Sequence, residues 1–308
     1  MIKIRAYVFS YNRCDFLKNC VESLLRNTKD CELVVIDDCS EDPETVRYLD
    51  AISTRYRVLY SKKNQKCQIN GGLHENMMMA FNDAKIDSVE YVFFVQDDMQ
   101  VTRELSTRDF DNFEMFFSKN KKSMQLSLSF FKSHKRQEVV RNIYLDDSGY
   151  AYLKTDGCPG TKSFSDTGVF KVDRFFNLYG HILKGEDENE KSARDKGLRM
   201  GVYVFPLVMW LPLPVAYRLK KKSLPLLFFE KLGNAGFYPY CDFNNSDLQS
   251  LLSRDLESAP FAEEYLVCPG LPSLKVWTYG GGESLLYAYG GWRRALARTY
   301  SFLNKLII

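Results

Sequence analysis

Two adjacent carboxylates, Asp97 and Asp98, close the run Tyr91-Val92-Phe93-Phe94-Val95-Gln96. Side by side they repel each other and cost solvation energy unless a cation or hydrogen-bond donors offset them. Oxygen ligands of this hardness suit Mg²⁺ or Mn²⁺, ions usually shared with substrate phosphates. The plain alternative is an acid pair that ends a strand and begins a turn, and alone it would be preferred. Two further clusters change the balance: Ser10-Tyr11-Asn12-Arg13 and Asp37-Asp38.

The elements that must position these residues can be read from periodicity. Five apolar residues without alternation before Gln96 indicate a strand buried on both faces, as inside a parallel sheet. Ile2 to Phe9 and Leu33 to Ile36 read as earlier strands, and Arg57 to Tyr60 as a short third. Phe16, Leu17, Cys20, Val21, Leu24 and Leu25 recur at helical spacing. Asp42-Pro43-Glu44 is a helix start, with Val46, Leu49 and Ile52 as its buried face. Asn70-Gly71-Gly72 breaks the chain before a helix from Leu73 to Ala84. Strand and helix alternate four times, which predicts βαβ units and a mostly parallel, doubly wound sheet. Ligands of such sheets sit outside the strands' carboxyl ends, and the three polar clusters all fall there.

Composition bounds the rest. Lys+Arg 42 against Asp+Glu 39 excludes a global electrostatic grip on nucleic acid. The strand pattern begins at once, so no secretory leader is expected. The eight cysteines form no C-x-x-C pair, and scattered cysteines fit small core hydrophobes in a reducing cytoplasm. Three histidines make a His-rich metal site improbable. The longest apolar stretch, Val202 to Ala216, is interrupted by Pro206, Pro212 and Pro214 and is not a spanning helix.

The first strand with Ser10-Tyr11-Asn12-Arg13, the following helix, and Glu32-Leu33-Val34-Val35-Ile36-Asp37-Asp38-Cys39-Ser40 resemble the family-2 glycosyltransferases of the GT-A fold. The resemblance covers the first 205 residues. It implies that Ser10, Tyr11, Arg13 and Asp38, with Asp37 as neighbour, hold the base and ribose of a nucleotide sugar, and that Asn64 belongs to the same site. It places Gln96-Asp97-Asp98 at the family's Asp-x-Asp motif, with Gln96 departing from it. Asp98 is then the direct ligand of Mn²⁺ or Mg²⁺, and Asp97 binds the ribose or reaches the ion through water. Glu186-Asp187, followed by Arg194, Gly197 and Met200 to Val204, matches the family's acidic pair, with Asp187 as general base and Glu186 beside it. Without the resemblance these are acids in a helix's first turn, favoured there by the dipole.

Downstream, Phe110, Phe113, Phe116 and Phe117 form a core stripe, Gln125 to Phe131 a strand, and Lys132 to Arg141 a polar mobile loop on the acceptor side. Ile143 to Leu145 and Tyr150 to Leu153 read as a hairpin. The expected architecture is thus α/β: a GT-A catalytic domain over 1–210, divided into a nucleotide-binding half (1–105) and an acceptor-side half (106–210). A mainly helical extension follows over 211–308. In its last segment Trp292, Leu296, Thr299, Leu303 and Leu306 share a face beside Arg293, Arg294, Arg298 and Lys305. Attachment to anionic lipid and docking on its own domain or in a homodimer stand as equal readings.

The expectation is an inverting, metal-dependent glycosyltransferase, cytoplasmic or peripheral on the inner face of the membrane. It would move a sugar from a UDP-sugar to a hydroxyl of a growing or lipid-linked bacterial surface glycan. A nucleotidyltransferase acting on sugar phosphates ranks lower, because the first loop lacks the glycines of a phosphate cradle. A non-catalytic nucleotide- or glycan-binding module draws its support from Gln96 alone.

Overall fold

The computed structural model describes residues 4–61, 72–216, 221–274 and 276–307, with backbone alone for 304–307. β1 (Ile4–Ser10), α1 (Cys14–Asn27), β2 (Glu32–Asp37), α2 (Pro43–Ser53), β3 (Arg57–Tyr60), α3 (Leu73–Ile86) and β4 (Tyr91–Gln96) alternate along the chain. Then come β5 (Met99–Val101), α4 (Thr107–Lys119), β6 (Gln125–Ser127), α5 (Arg136–Arg141), β7 (Ile143–Leu145), β8 (Ala151–Lys154), β9 (Gly168–Lys171), α6 (Val172–Arg174), α7 (Glu186–Asp195), β10 (Met200–Tyr203) and β11 (Val208–Trp210). The last third holds α8 (Leu224–Leu232), α9 (Asn245–Ser253), α10 (Ala262–Tyr265) and α11 (Gly291–Ile307).

Nine strands form one sheet in the order β3-β2-β1-β4-β9-β6-β10-β8-β7. The four at one side are mutually parallel. β9 and β8 run against the other seven, so the sheet is mixed but mostly of one direction. The inner strands β1, β2 and β4 are double-faced, as their unbroken apolar runs require. Ile4, Ala6 and Val8 of β1, Val35 of β2, and Phe93 and Val95 of β4 enter the core layer beneath α1 and α4. The alternate residues Tyr7, Phe9, Val34, Ile36, Val92 and Phe94 enter the layer beneath α3. Slipping any of these strands by one residue would exchange the two sets, so register is tightly specified. At the crowded centre Gly168 takes φ 117°, and a Cβ there would lie 2.7 Å from the Leu126 carbonyl oxygen.

Local chemistry sets the ends. The Asp42 carboxylate accepts from the Thr45 N–H and caps α2, as its sequence indicates; Leu49 is buried and Ile52 partly so, as expected, whereas Val46 is exposed and Thr45 buries in its place. Asp146 closes the β7–β8 hairpin by accepting from Ser148 and from the Ala151 N–H. The stretch after Lys132 is a short turn running into α5, not an open loop, and Val139 anchors it in the core. Cys20 and Cys158 are buried, whereas Cys241 is exposed and Cys14, Cys31, Cys39 and Cys268 are half-buried; Cys67 lies outside the described residues. No helix among the described residues is long and apolar enough to cross a membrane.

β5 pairs antiparallel with β11, Met99 opposite Trp210, and the Leu211 N–H donates to the Asp98 carbonyl at 2.7 Å. The acid pair therefore sits in a tight turn gripped by β11. Residues beyond 210 close over this grip. Gln100 donates to the Tyr240 carbonyl and accepts from the Tyr240 N–H, and Tyr240, Leu251 and Trp277 share a core with Phe16, Met209 and Leu211. α11 buries Ala297, with Leu296 and Tyr300 partly buried against Phe229 of α8. The expected apolar face of that helix is consequently split. Trp292 (64 % exposed) and Phe302 (63 %) face outward beside the exposed Arg294 and Arg298, and Leu224 (82 %), Leu227 and Phe228 of α8 are exposed as well.

Candidate active site at the carboxyl rim

Hydrogen bonds extend the parallel strands to a common rim: Asp38 N–H to the Ser10 carbonyl, Asp97 N–H to that of Phe9, and Ser61 N–H to that of Asp37. Asn12, in the left-handed region at φ 52°, donates its N–H to Ser40 Oγ and accepts at Oδ1 from the Glu41 and Asp42 N–H groups. Asp37 in turn accepts from the Ser40 N–H and hydroxyl. The ends of β1 and β2 are thereby tied into one frame. Ser10 and Asp37 are buried within it, and burial pushes the Asp37 carboxyl upward against the donors from Ser40.

Asp38 stands at the open side. It accepts from the Gly72 N–H (2.9 Å), from Ser61 Oγ (2.8 Å) and, at 3.4 Å, from Asn76 Nδ2. A Cβ on Gly72 would come within 2.3 Å of Asp38 Oδ1, so the glycine permits this carboxylate its position. Asn64 lies outside the described residues.

Arg13 is the cation that offsets the acid pair. Its guanidinium engages Asp97 through two nitrogens and Asp98 Oδ2 at 3.1 Å, and the Tyr11 N–H donates to Asp97. Asp97 is 2 % exposed, and burial, opposed by Arg13 but reinforced by Asp98, raises its carboxyl above the usual range. Asp97 thus has its oxygens occupied by the protein itself. Gln96 accepts from the Trp210 indole N–H at 3.3 Å. Asp98 Oδ1 is buried without a hydrogen-bond partner among the described residues.

The opposite wall comes from later elements, and sequence reasoning missed most of it. His74 Nε2 lies 3.2 Å from Asp166 Oδ1. Burial works against protonation of His74, but Asp166, then Glu186 and Glu188, outweigh it and raise its pKa. Glu190 accepts the N–H groups of Lys162, Ser163 and Phe164 (3.1, 2.8 and 2.9 Å), fixing the strand entry that carries Asp166 against α7. At the start of α7, Glu186 feels both Asp166 and Lys132, and desolvation of its carboxyl, followed by Asp166, raises its pKa. Asp187, one residue on, is exposed and makes no hydrogen bond or ion pair among the described residues. The Lys132 ammonium lies over the Trp210 ring at 4.1 Å and 5.2 Å from the centre of Tyr279. Burial pushes its pKa down to about 8, against the fields of Glu186 and Asp98.

Two sets of contacts result: Asn76 with Asp38, and a run from His74 through Asp166, Glu186, Lys132 and Asp98 to Arg13. A separate groove of about 740 Å³ along the outer face of α3 shares His74 with this run but otherwise leads away from the acid pair. Among the described residues no three His, Cys, Asp or Glu side chains cluster as a ready-made metal cage.

Residues 6–108 match the family model described as glycosyl transferase family 2. That match runs from within β1 to the start of α4, the part of the chain that carries Arg13, Asp38 and the Asp97-Asp98 turn. Similar solved structures include TarS of S. aureus, 16 % identical, covering 82 % of this chain and 42 % of that one at a TM-score of 0.46. The same protein's 1-349 form matches at 0.46, and at 0.43 in complex with UDP, covering 70 % of that chain in each case. This chain therefore spans less than half the length of the first of these TarS chains. No curated protein matches it.

Proposed function

We propose that this chain is an inverting glycosyltransferase that moves a sugar from a nucleotide sugar, with UDP as carrier, to a hydroxyl of a glycan acceptor. The observation that supports the reading is the pairing of Arg13 with Asp98, with Lys132 feeling both Asp98 and Glu186 and with Asp38 at the end of the neighbouring parallel strand, in a chain whose first third matches the family 2 model. Asp38 and its Gly72–Asn76 surround suit a ribose or base edge. Asp98, with one carboxylate oxygen unpartnered, fits a single protein ligand of Mn²⁺ or Mg²⁺, whose remaining places diphosphate and water would fill. When bound, such an ion supplies Lewis-acid stabilisation of the departing diphosphate.

Both acids are exposed at the start of α7, and Glu186 is the better placed base because it feels Lys132 and Asp166, whereas Asp187 makes no hydrogen bond or ion pair among the described residues. A raised carboxyl pKa also suits a group that must accept a proton near neutral pH. In the step proposed, the acceptor hydroxyl gives its proton to Glu186 as its oxygen bonds the anomeric carbon. The bond from that carbon to the β-phosphate oxygen breaks, and the nucleoside diphosphate leaves with the electron pair. One displacement inverts the anomeric configuration.

The test is transfer or hydrolysis with a panel of nucleotide sugars plus Mn²⁺ or Mg²⁺. Glu186→Gln is expected to lose about 10²–10⁴-fold in kcat, and Asp187→Asn much less. Equal loss in both restores Asp187 to the role, and NMR showing retained anomeric configuration in the product overturns the single displacement.

A further inference from the structure

We propose that the Lys132 ammonium is an anion subsite of this pocket, holding a phosphate or carboxylate of the substrate between Asp98 and Glu186; this deepens, and rests on, the nucleotide-sugar reading. The lysine is held by its surroundings. The N–H of neighbouring Phe131 donates to the Pro260 carbonyl, and the Phe131 carbonyl accepts from Ala262, so the backbone is pinned from the C-terminal third. Trp210, itself fixed through Gln96 and β11, and Tyr279 wall the ammonium on two sides.

What the ammonium lacks is an anion. Every other half-buried lysine among the described residues has a polar partner: Lys154 the Thr161 carbonyl, Lys162 Asp156, Lys171 Glu90 and Glu114, and Lys222 Glu230. Lys132 makes no hydrogen bond or ion pair among those residues, and its contacts are the two rings. Aromatic faces replace only part of an ammonium's lost hydration. A third, anionic partner entering from the pocket would complete the shell. Under the nucleotide-sugar reading, the space between Asp98 and Glu186 holds the bond from the anomeric carbon to the β-phosphate, so charge appears there as the bond breaks. An acidic sugar would instead bring a carboxylate to the same place.

The two sources separate in calorimetric titration of uridine, UDP, UDP-glucose and UDP-glucuronic acid against wild type, Lys132→Met and Lys132→Arg. Methionine keeps the apolar stem over Trp210, and arginine keeps the charge; circular dichroism checks that both fold. If phosphate is the ligand, Lys132→Met weakens UDP at least tenfold, leaves uridine unchanged, and Lys132→Arg recovers most of the loss. If it is a sugar carboxylate, only UDP-glucuronic acid weakens in Lys132→Met. Equal binding of all four ligands by wild type and Lys132→Met overturns the subsite while leaving the nucleotide-sugar reading intact. A wild-type protein that binds none of them overturns both.

Discussion

Replacing Arg13 by methionine separates a clamp from a substrate contact. The guanidinium is 9 % exposed and engages Asp97, 2 % exposed, and Asp98. Methionine preserves apolar contact with Phe16, whose ring lies 5.3 Å from the guanidinium carbon, but leaves Asp97 without its cation. Removing one partner of a buried ion pair costs about 3–5 kcal/mol, because the remaining charge is uncompensated. Asp97 can lessen that cost by taking up a proton, since burial already raises its carboxyl and the opposing influence of Arg13 would be gone. A raised carboxyl binds more protons folded than unfolded, so stability falls as pH rises through its folded value. The deficit of Arg13→Met should therefore be smaller at about pH 5 than at about pH 8. Adding Asp97→Asn should cancel most of it, because no charge then remains to strand. Urea unfolding of the four proteins at both pH values, with the coupling read as a double-mutant cycle, gives the answer. An Arg13→Met protein of wild-type stability at both pH values that has lost UDP affinity would refute the clamp and make Arg13 a direct nucleotide contact.

Three further outcomes are expected. Gly72→Ala puts a Cβ 2.3 Å from Asp38 Oδ1 at an ordinary negative φ, so UDP affinity should fall about tenfold (~1.4 kcal/mol) with little change in urea midpoint. Unaltered affinity by calorimetry would remove Asp38 from the site. His74 is raised by Asp166 beside it, so its contribution to stability is fully present below about pH 6.5 and fades as pH rises through its folded value. The Tm gap between wild type and His74→Gln should be widest near the acid end of that window; a gap constant with pH contradicts the pairing. Finally, the outward Trp292 and Phe302, flanked by Arg294 and Arg298, suit a membrane surface bearing anionic lipid. Co-sedimentation with phosphatidylglycerol vesicles but not phosphatidylcholine ones, lost in Trp292→Glu/Phe302→Glu, would establish it. Equal pelleting of the double variant would dismiss it, and dimerisation of the wild type would point to a second copy as the partner of this face.

The parallel half of the sheet was legible because β1, β2 and β4 are apolar on both faces, and only burial on both sides accounts for such runs. The Asp38 and Asp98 ends were legible for the same reason, since strand direction fixes which termini share a rim. Side-chain pairing across that rim was not. Arg13 and Asp97 are 84 residues apart, and nothing local marks an arginine at a strand end as the partner of a distant carboxylate. Lys132 to Arg141 reads as a mobile loop because its polarity is local, whereas its anchors, Val139 in the core and Arg136 over the Phe261 ring, depend on tertiary contacts. Glu186 and Asp187 differ by about 100° around a helix, so which one meets the pocket depends on where α7 begins relative to the sheet. In α11, Leu296 turns inward because Phe229 and Leu286 offer it a surface, a choice the spacing of the helix alone does not contain.

The last third of the chain is part of the pocket's construction. Trp210 and Tyr279, the two rings around Lys132, lie on β11 and in the segment after it, and Pro260 and Ala262 pin the backbone beside the lysine. The same segments bear on the acid pair through Leu211 and through Tyr240 on Gln100. Gln96 follows from this construction. An acid at that position would set a second carboxylate against Asp97 and would take a donor, the Trp210 indole, that suits an amide oxygen without adding charge. Gln96 is anchored to β11 through that indole, and the Lys132 ammonium stacks on the same ring. The last third of the chain thereby sets an ammonium where the fields of Asp98 and Glu186 meet.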